Sequence, residues 1–113
     1  MADFLYIYRG GQRGATPEES GQIMQKWMNW FKELTASGNL KDGGQPLEEE
    51  GKVVKDGGRT VTDGPFAEAK DLVGGYTLIA AESLARAAEL AKGCPILERQ
   101  GLVEVRPIMN LDM

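Results

Sequence analysis

Few side chains in this sequence could perform nucleophilic chemistry, because the chain contains no histidine and one cysteine. Histidine is the usual base that activates a serine nucleophile, so a conventional hydrolase triad is excluded. Cys94, between Gly93 and Pro95, is interpreted as a small buried hydrophobe without an activating neighbour. A single thiolate also gives no ligand set for zinc or an iron–sulfur cluster, and we expect neither a metal site nor another cofactor.

Four side chains remain as candidates for ligand binding: Asp63, Lys70, Tyr76 and Arg106. Asp63 follows a predicted strand, where a carboxylate commonly accepts backbone N–H bonds in a turn. Its functional alternative is a general base in a cleft, which requires burial of the carboxylate. Lys70 could bind an anion or else remain solvated in a loop. Arg106 could likewise bind an anion, or it could pair with a carboxylate such as Glu104. Tyr76 could donate its hydroxyl to a ligand, although packing is favoured.

The composition excludes several classes of function. A formal charge of −4, with no cluster of Lys and Arg, repels phosphate backbones and excludes nucleic-acid binding through a basic face. No apolar run approaches the roughly 20 residues that cross a bilayer. The first residues also lack a basic segment followed by an apolar one, so we expect a cytoplasmic protein without a membrane partner. With 42% hydrophobic and 27% charged residues, the chain is predicted to form one globular domain, residues 1–113.

The elements that must position these side chains begin with an apolar run at residues 4–8, which predicts a strand. Residues 16–19, Thr-Pro-Glu-Glu, form a capping box with proline at the first helical position. The helix predicted from there is expected to end at Gly38. Along it, Trp27 fits the buried apolar stripe, whereas Trp30 is expected toward the edge, as a pocket-rim or interface residue.

The second half of the chain predicts a hairpin, a strand, a helix capped by Ser83 and a final strand. The strands are expected at residues 52–55 and 59–62, at 76–81 and at 103–106. This order is the split β-α-β pattern of an α+β, ferredoxin-like β-α-β-β-α-β sandwich, in which two helices cover one sheet face. The hairpin is expected to be an addition that supplies an extra strand.

The second face of the predicted sheet has no helix to cover it. A sheet that faces water should alternate apolar with polar residues, whereas residues 4–8 and 76–81 are largely apolar on both sides. Monomers seldom expose large apolar patches. The sequence therefore predicts a homodimer in which two copies pack sheet to sheet.

One motif connects the hairpin to the following strand. From Asp63 the chain reads Asp-Gly-Pro-Phe-Ala-Glu-Ala-Lys and, after three further residues, Gly-Gly-Tyr. The motif residues with an expected structural role are Gly64, Pro65, Phe66, Glu68, Gly74 and Gly75. The glycine pair is expected to permit a β-bulge or a close backbone approach, because no helix begins there that could bind phosphate. The motif resembles the signature of the YCII-related family in its DGPF branch, and the resemblance extends over nearly the whole chain.

This resemblance implies a ferredoxin-like dimer of the dimeric α/β barrel type, with a cleft between sheet and helices or along the dimer interface. Some members of the wider superfamily are small enzymes, including a dehydrochlorinase, with a proposed catalytic pair of histidine and aspartate. That pair cannot be carried over, because this chain has no histidine. Members of the DGPF branch are also associated with extracytoplasmic-function sigma factors, which implies a regulatory role.

Three functions follow as hypotheses. The first is a dimeric, non-catalytic module that binds a small ligand or a regulatory partner. The second is a cofactor-independent lyase or isomerase acting on a small organic acid, with Asp63 as base and Lys70 or Arg106 holding the substrate anion. The third is an accessory protein that binds a sigma factor.

Overall fold

The structure, a computed structural model, describes residues 1–64 and 71–111. Its elements are the strands β1 (Ala2–Gly10), β2 (Leu40–Asp42), β3 (Gly51–Lys55), β4 (Thr60–Gly64), β5 (Val73–Ala81) and β6 (Gly101–Pro107), the helices α1 (Pro17–Ala36) and α2 (Leu84–Ala91), and a 3₁₀ helix (Pro95–Arg99). No helix in these residues is long and apolar enough to cross a membrane.

The main sheet has the strand order β2-β5-β1-β6, with every neighbouring pair antiparallel. This order confirms the predicted α+β, ferredoxin-like class. The structure corrects one detail, because the hairpin of β3 and β4 forms a sheet of its own and supplies no strand to the main sheet. That place is taken by β2, which sequence patterning missed because Leu40 is its only apolar residue.

Both helices begin at the predicted caps. The Thr16 hydroxyl accepts a hydrogen bond from the Glu19 amide at 3.1 Å, and the Ser83 hydroxyl accepts one from the Arg86 amide at the same distance. Gly38 follows α1 with a φ of +77°, a left-handed conformation that glycine adopts without steric cost. Local sequence thus fixes where the helices start.

The core is a layer of aromatic rings between β1 and α1. Tyr6 stacks on Trp30 with ring centroids 5.9 Å apart, and Tyr8 meets Trp27 edge to face at 4.9 Å. Trp30 does not lie toward the edge as expected, because its side chain is only 5% exposed and lies in the centre of this layer, although it also lines a groove between the helices. Gly93 leaves space for the indole ring of Trp30, because a Cβ at position 93 would lie 3.1 Å from the indole Nε1.

Two tyrosine hydroxyls are buried in this layer with hydrogen-bond partners. Tyr6 donates to the carbonyl of Ala87 at 2.6 Å, which ties β1 to α2. Tyr8 donates to Thr77 Oγ1 at 2.7 Å, and Thr77 in turn donates to the carbonyl of Gly43 at 2.9 Å. Burial raises the pKa of both tyrosines far above the ordinary value, so both stay neutral at physiological pH. They are structural donors and not acid–base groups.

We expect Tyr6→Phe to lower the free energy of unfolding by about 1 kcal/mol, because the buried Ala87 carbonyl loses its side-chain donor. Urea denaturation monitored by tryptophan fluorescence would measure the change. Tyr76→Phe is the matched control, since Tyr76 is 38% exposed and its hydroxyl makes no hydrogen bond to the described residues. Equal losses for the two variants would contradict the role assigned to the Tyr6 hydroxyl.

We expect Cys94 to resist thiol reagents in the native protein, since it is 2% exposed and burial raises the pKa of its thiol to about 12. At pH 8 the native thiol is therefore almost entirely protonated. A chromogenic disulfide reagent should label it only after urea is added. Full labelling within minutes without denaturant would show that the thiol is accessible.

Candidate functional site

The strand alternation of β1 divides the sheet into a covered and an open face. Phe4, Tyr6 and Tyr8 are buried beneath the helices, so the intervening side chains point to the other side. In the pairing register, Ile7 lies between Tyr76 and Glu104, and Leu5 lies between Leu78 and Arg106. We call this side the open face; its residues used below are Asp3, Leu5, Ile7, Arg9, Lys41, Tyr76, Leu78, Glu104 and Arg106.

An arginine cluster, Arg9, Glu104 and Arg106, occupies the β6 side of the open face. The Glu104 carboxylate accepts from Arg9 Nε at 2.9 Å and from Arg106 Nη1 at 3.2 Å. Arg9, followed by Arg106, lowers the pKa of Glu104 below its ordinary value by donating these hydrogen bonds, so the carboxylate is ionised at neutral pH. Two cations share one anion. The cluster therefore carries one net positive charge and suits an anionic ligand.

A second ion pair lies toward the opposite edge of the sheet, where Lys41 Nζ is 2.8 Å from Asp3 Oδ2. Between it and the arginine cluster lie Leu5, Ile7 and Leu78, all only partly buried. An apolar centre with a charged rim is the usual composition of a protein–protein interface. The open face thus combines an interface pattern with an excess of positive charge at one side.

The predicted site residues are divided between two places. Tyr76 and Arg106 both lie on the open face, and Arg106 pairs with Glu104 as expected. Asp63 lies on β4 with its side chain 89% exposed, and Lys52 Nζ donates to it at 2.5 Å. Its described partner is therefore a lysine and not the backbone of a turn. Lys70, Pro65, Phe66 and Glu68 lie outside the described residues.

Arg9 is the site residue that sequence reasoning missed. It follows the apolar run, and its parity with Leu5 and Ile7 could have placed it on the same face. Besides Glu104, it donates from Nη1 to the carbonyl of Asp71 at 2.8 Å. Arg9 therefore connects the cluster to the chain immediately before β5.

The motif glycines shape the start of β5. Tyr8 pairs with Gly75 whereas Arg9 pairs with Val73, so Gly74 is the extra residue of a β-bulge. Gly75 allows a close backbone approach, because a Cβ there would lie 2.9 Å from the carbonyl oxygen of Gln45. Gly64 ends β4, where it pairs with Gly51. The bulge brings the beginning of β5 beside Arg9.

Two grooves on the helix side contain none of the predicted site residues. One, of about 150 Å³, lies between α1 and the 3₁₀ helix and is lined by the ion pairs Lys26–Glu98 and Glu19–Arg99. The other, of about 330 Å³, lies between α1 and α2, with Trp30 and Leu90 among its lining residues. In residues 1–64 and 71–111, no group of three metal-ligating side chains could hold an ion. The open face is therefore the stronger candidate.

Comparisons with known proteins give a family and solved structures to which the chain is similar. The family described as the YCII-related domain matches residues 4–112. A solved structure that is similar is the 5-chloro-2-hydroxyhydroquinone dehydrochlorinase TftG from Burkholderia phenoliruptrix AC1100, in complex with 2,5-dihydroxybenzoquinone. The two chains are 16% identical, with 89% of this chain and 90% of that chain covered and a TM-score of 0.41. A comparison with curated proteins finds no match. Because the family match spans nearly the whole chain, the protein belongs to the YCII-related family.

Proposed function

We propose that this protein is a homodimeric binding module that holds a small organic-acid anion at the open face. The observation that carries the proposal is the arginine cluster, in which the guanidinium groups of Arg9 and Arg106 share the single carboxylate of Glu104. In a chain with a net charge of −4, this local positive charge would select an anion by direct contact and not by long-range attraction.

The exposed donors of Arg106 support anion binding. Its side chain is 65% exposed, and its described hydrogen bond uses Nη1 alone. A guanidinium presents five N–H donors in a planar fork that matches a carboxylate. Arg106 can therefore donate to a ligand carboxylate while it keeps its hydrogen bond to Glu104.

A second copy on the open face would strengthen such a site. Leu5, Ile7 and Leu78 are partly exposed at its centre, and covering them removes apolar surface from water. Excluding water also lowers the local dielectric constant, which strengthens the hydrogen bonds between a guanidinium and a carboxylate. The same contact would thus stabilise the dimer and increase affinity for the anion.

Binding is favoured over catalysis by the surroundings of the candidate base. A general base for a lyase or isomerase needs to be desolvated to be basic enough near neutral pH. Within one chain, Asp63 is largely exposed and paired with Lys52. Burial raises the pKa of the Tyr6 and Tyr8 hydroxyls, so both stay protonated near neutral pH and cannot act as the base. A lyase or isomerase remains the alternative, and turnover of a bound acid would reveal it.

We expect Leu78→Glu to dissociate the dimer, because it places a charge in the apolar centre of the open face. Sedimentation equilibrium should give the parent twice the 12.3 kDa mass of one chain and the variant a single chain mass. Leu84→Glu is the control, since Leu84 lies on α2 and is 48% exposed. A parent that stays monomeric at high concentration would contradict the dimer.

We expect Arg106→Ala to weaken binding of an organic acid about tenfold, the smaller end of the effect of losing a charge-assisted hydrogen bond. Glu104→Gln should instead strengthen it, because the cluster then carries two uncompensated cations. Calorimetric titration with maleate and with benzoate would measure both changes.

Lys41→Ala is the matched control for these titrations. It also removes one cation from the open face, but Lys41 is paired one to one with Asp3, away from the arginine cluster. Equal effects of the Lys41 and Arg106 substitutions would mean that net charge, and not the cluster, controls binding. No binding of either acid to the parent would contradict the anion site.

A further inference from the structure

The hairpin of β3 and β4 stands apart from the rest of the fold. Its strands pair with each other and with no strand of the main sheet. A hairpin of two strands is marginally stable in water unless a third element packs against it. We call residues 51–64 the arm; its five-residue strands give it a length of about 17 Å.

One side of the arm carries an apolar pair that is exposed to water. Val54 and Val61 are directly opposite each other and are 63% and 60% exposed. Lys52 and Asp63, the next pair on the same side, form the ion pair described above. We call these four residues the valine side of the arm. A β-branched pair flanked by a salt bridge is suited to packing against another surface.

The total surface of the chain indicates how much of it a partner would cover. The accessible surface is 8048 Å² for a chain of 12.3 kDa, whereas folded monomers of that mass expose about 6,100 Å². If a second copy covered this excess of about 1,950 Å² on each chain, the contact would bury roughly 3,900 Å², which lies in the range of obligate homodimers. The Cα radius of gyration, 15.8 Å, likewise exceeds the roughly 13 Å of a compact chain of this length.

Charge favours a second copy of this chain as the occupant. The arm holds three basic residues, Lys52, Lys55 and Arg59, against two acidic ones, Asp56 and Asp63, and so has a charge of +1. Since the whole chain has −4, the remainder carries −5. The arm and the body of a second copy are therefore opposite in net charge, while the valine side itself is neutral because Lys52 and Asp63 cancel.

We propose that the arm of each chain crosses to a second copy and packs its valine side on that copy's body. The inference rests on the proposed dimer and adds a second contact to the one between the open faces. The ion pair of Lys52 and Asp63 then flanks this contact, and Asp63 keeps its lysine partner. The candidate carboxylate of the sequence motif belongs to a surface that two chains build together.

Sedimentation equilibrium of Val61→Asp and Thr62→Asp tests this contact. Thr62 is the adjacent residue, is exposed, and points to the opposite side of the arm, so its substitution is a matched control. Val61→Asp should raise the dimer dissociation constant at least tenfold, and Thr62→Asp should leave it within about twofold of the parent, since only the first places a charge in the contact. Hydrogen exchange of the parent should show arm amides that lose protection on dilution below the dissociation constant.

The outcomes separate this inference from the dimer itself. A dimer that tolerates both substitutions, or one whose arm amides exchange equally at all concentrations, would overturn the arm contact and leave the dimer of open faces intact. A parent that is monomeric throughout would overturn both.

Discussion

The stacking of Trp30 on Tyr6 is the contact on which the remaining structure depends. It holds α1 against one side of β1, and the hydroxyl of Tyr6 fixes α2 on the same side through Ala87. Because side chains alternate along a strand, burying the even-numbered residues of β1 sends Leu5, Ile7 and Arg9 to the other side. Because α1 and α2 both pack on the first side, neither covers the open face.

The open face accounts for how a chain without histidine could still recognise a ligand. Its apolar centre is costly to leave in water, whereas its arginine cluster gains strength when water is removed. If a second copy covers the face, the apolar centre is removed from water and the hydrogen bonds of the arginine cluster become stronger. Under this proposal the protein needs no metal and no nucleophile to bind an organic acid, because two guanidinium groups and one carboxylate supply the charge.

Local signals in the sequence predicted most elements of the fold, and non-local contacts explain what they missed. The caps at Thr16 and Ser83 and the stop at Gly38 are read from neighbouring residues, so both helices were placed correctly. The strand β2 depends on pairing with β5, and the burial of Trp30 depends on the space above Gly93; neither contact has a local signal. For the candidate site, strand parity could place Arg106 and Arg9 on one face, whereas the separation of Asp63 from them follows from the arm forming its own sheet.

An isotope-filtered NOE experiment on a mixture of labelled and unlabelled chains detects only contacts between chains, and so tests whether a second copy covers the open face. We expect intermolecular signals from the methyl groups of Leu5, Ile7 and Leu78. Signals from Met24 and Met28 instead, which are exposed on α1, would place the contact on the helix side. That result, or the absence of any intermolecular signal, would contradict the claim that a second copy covers the open face.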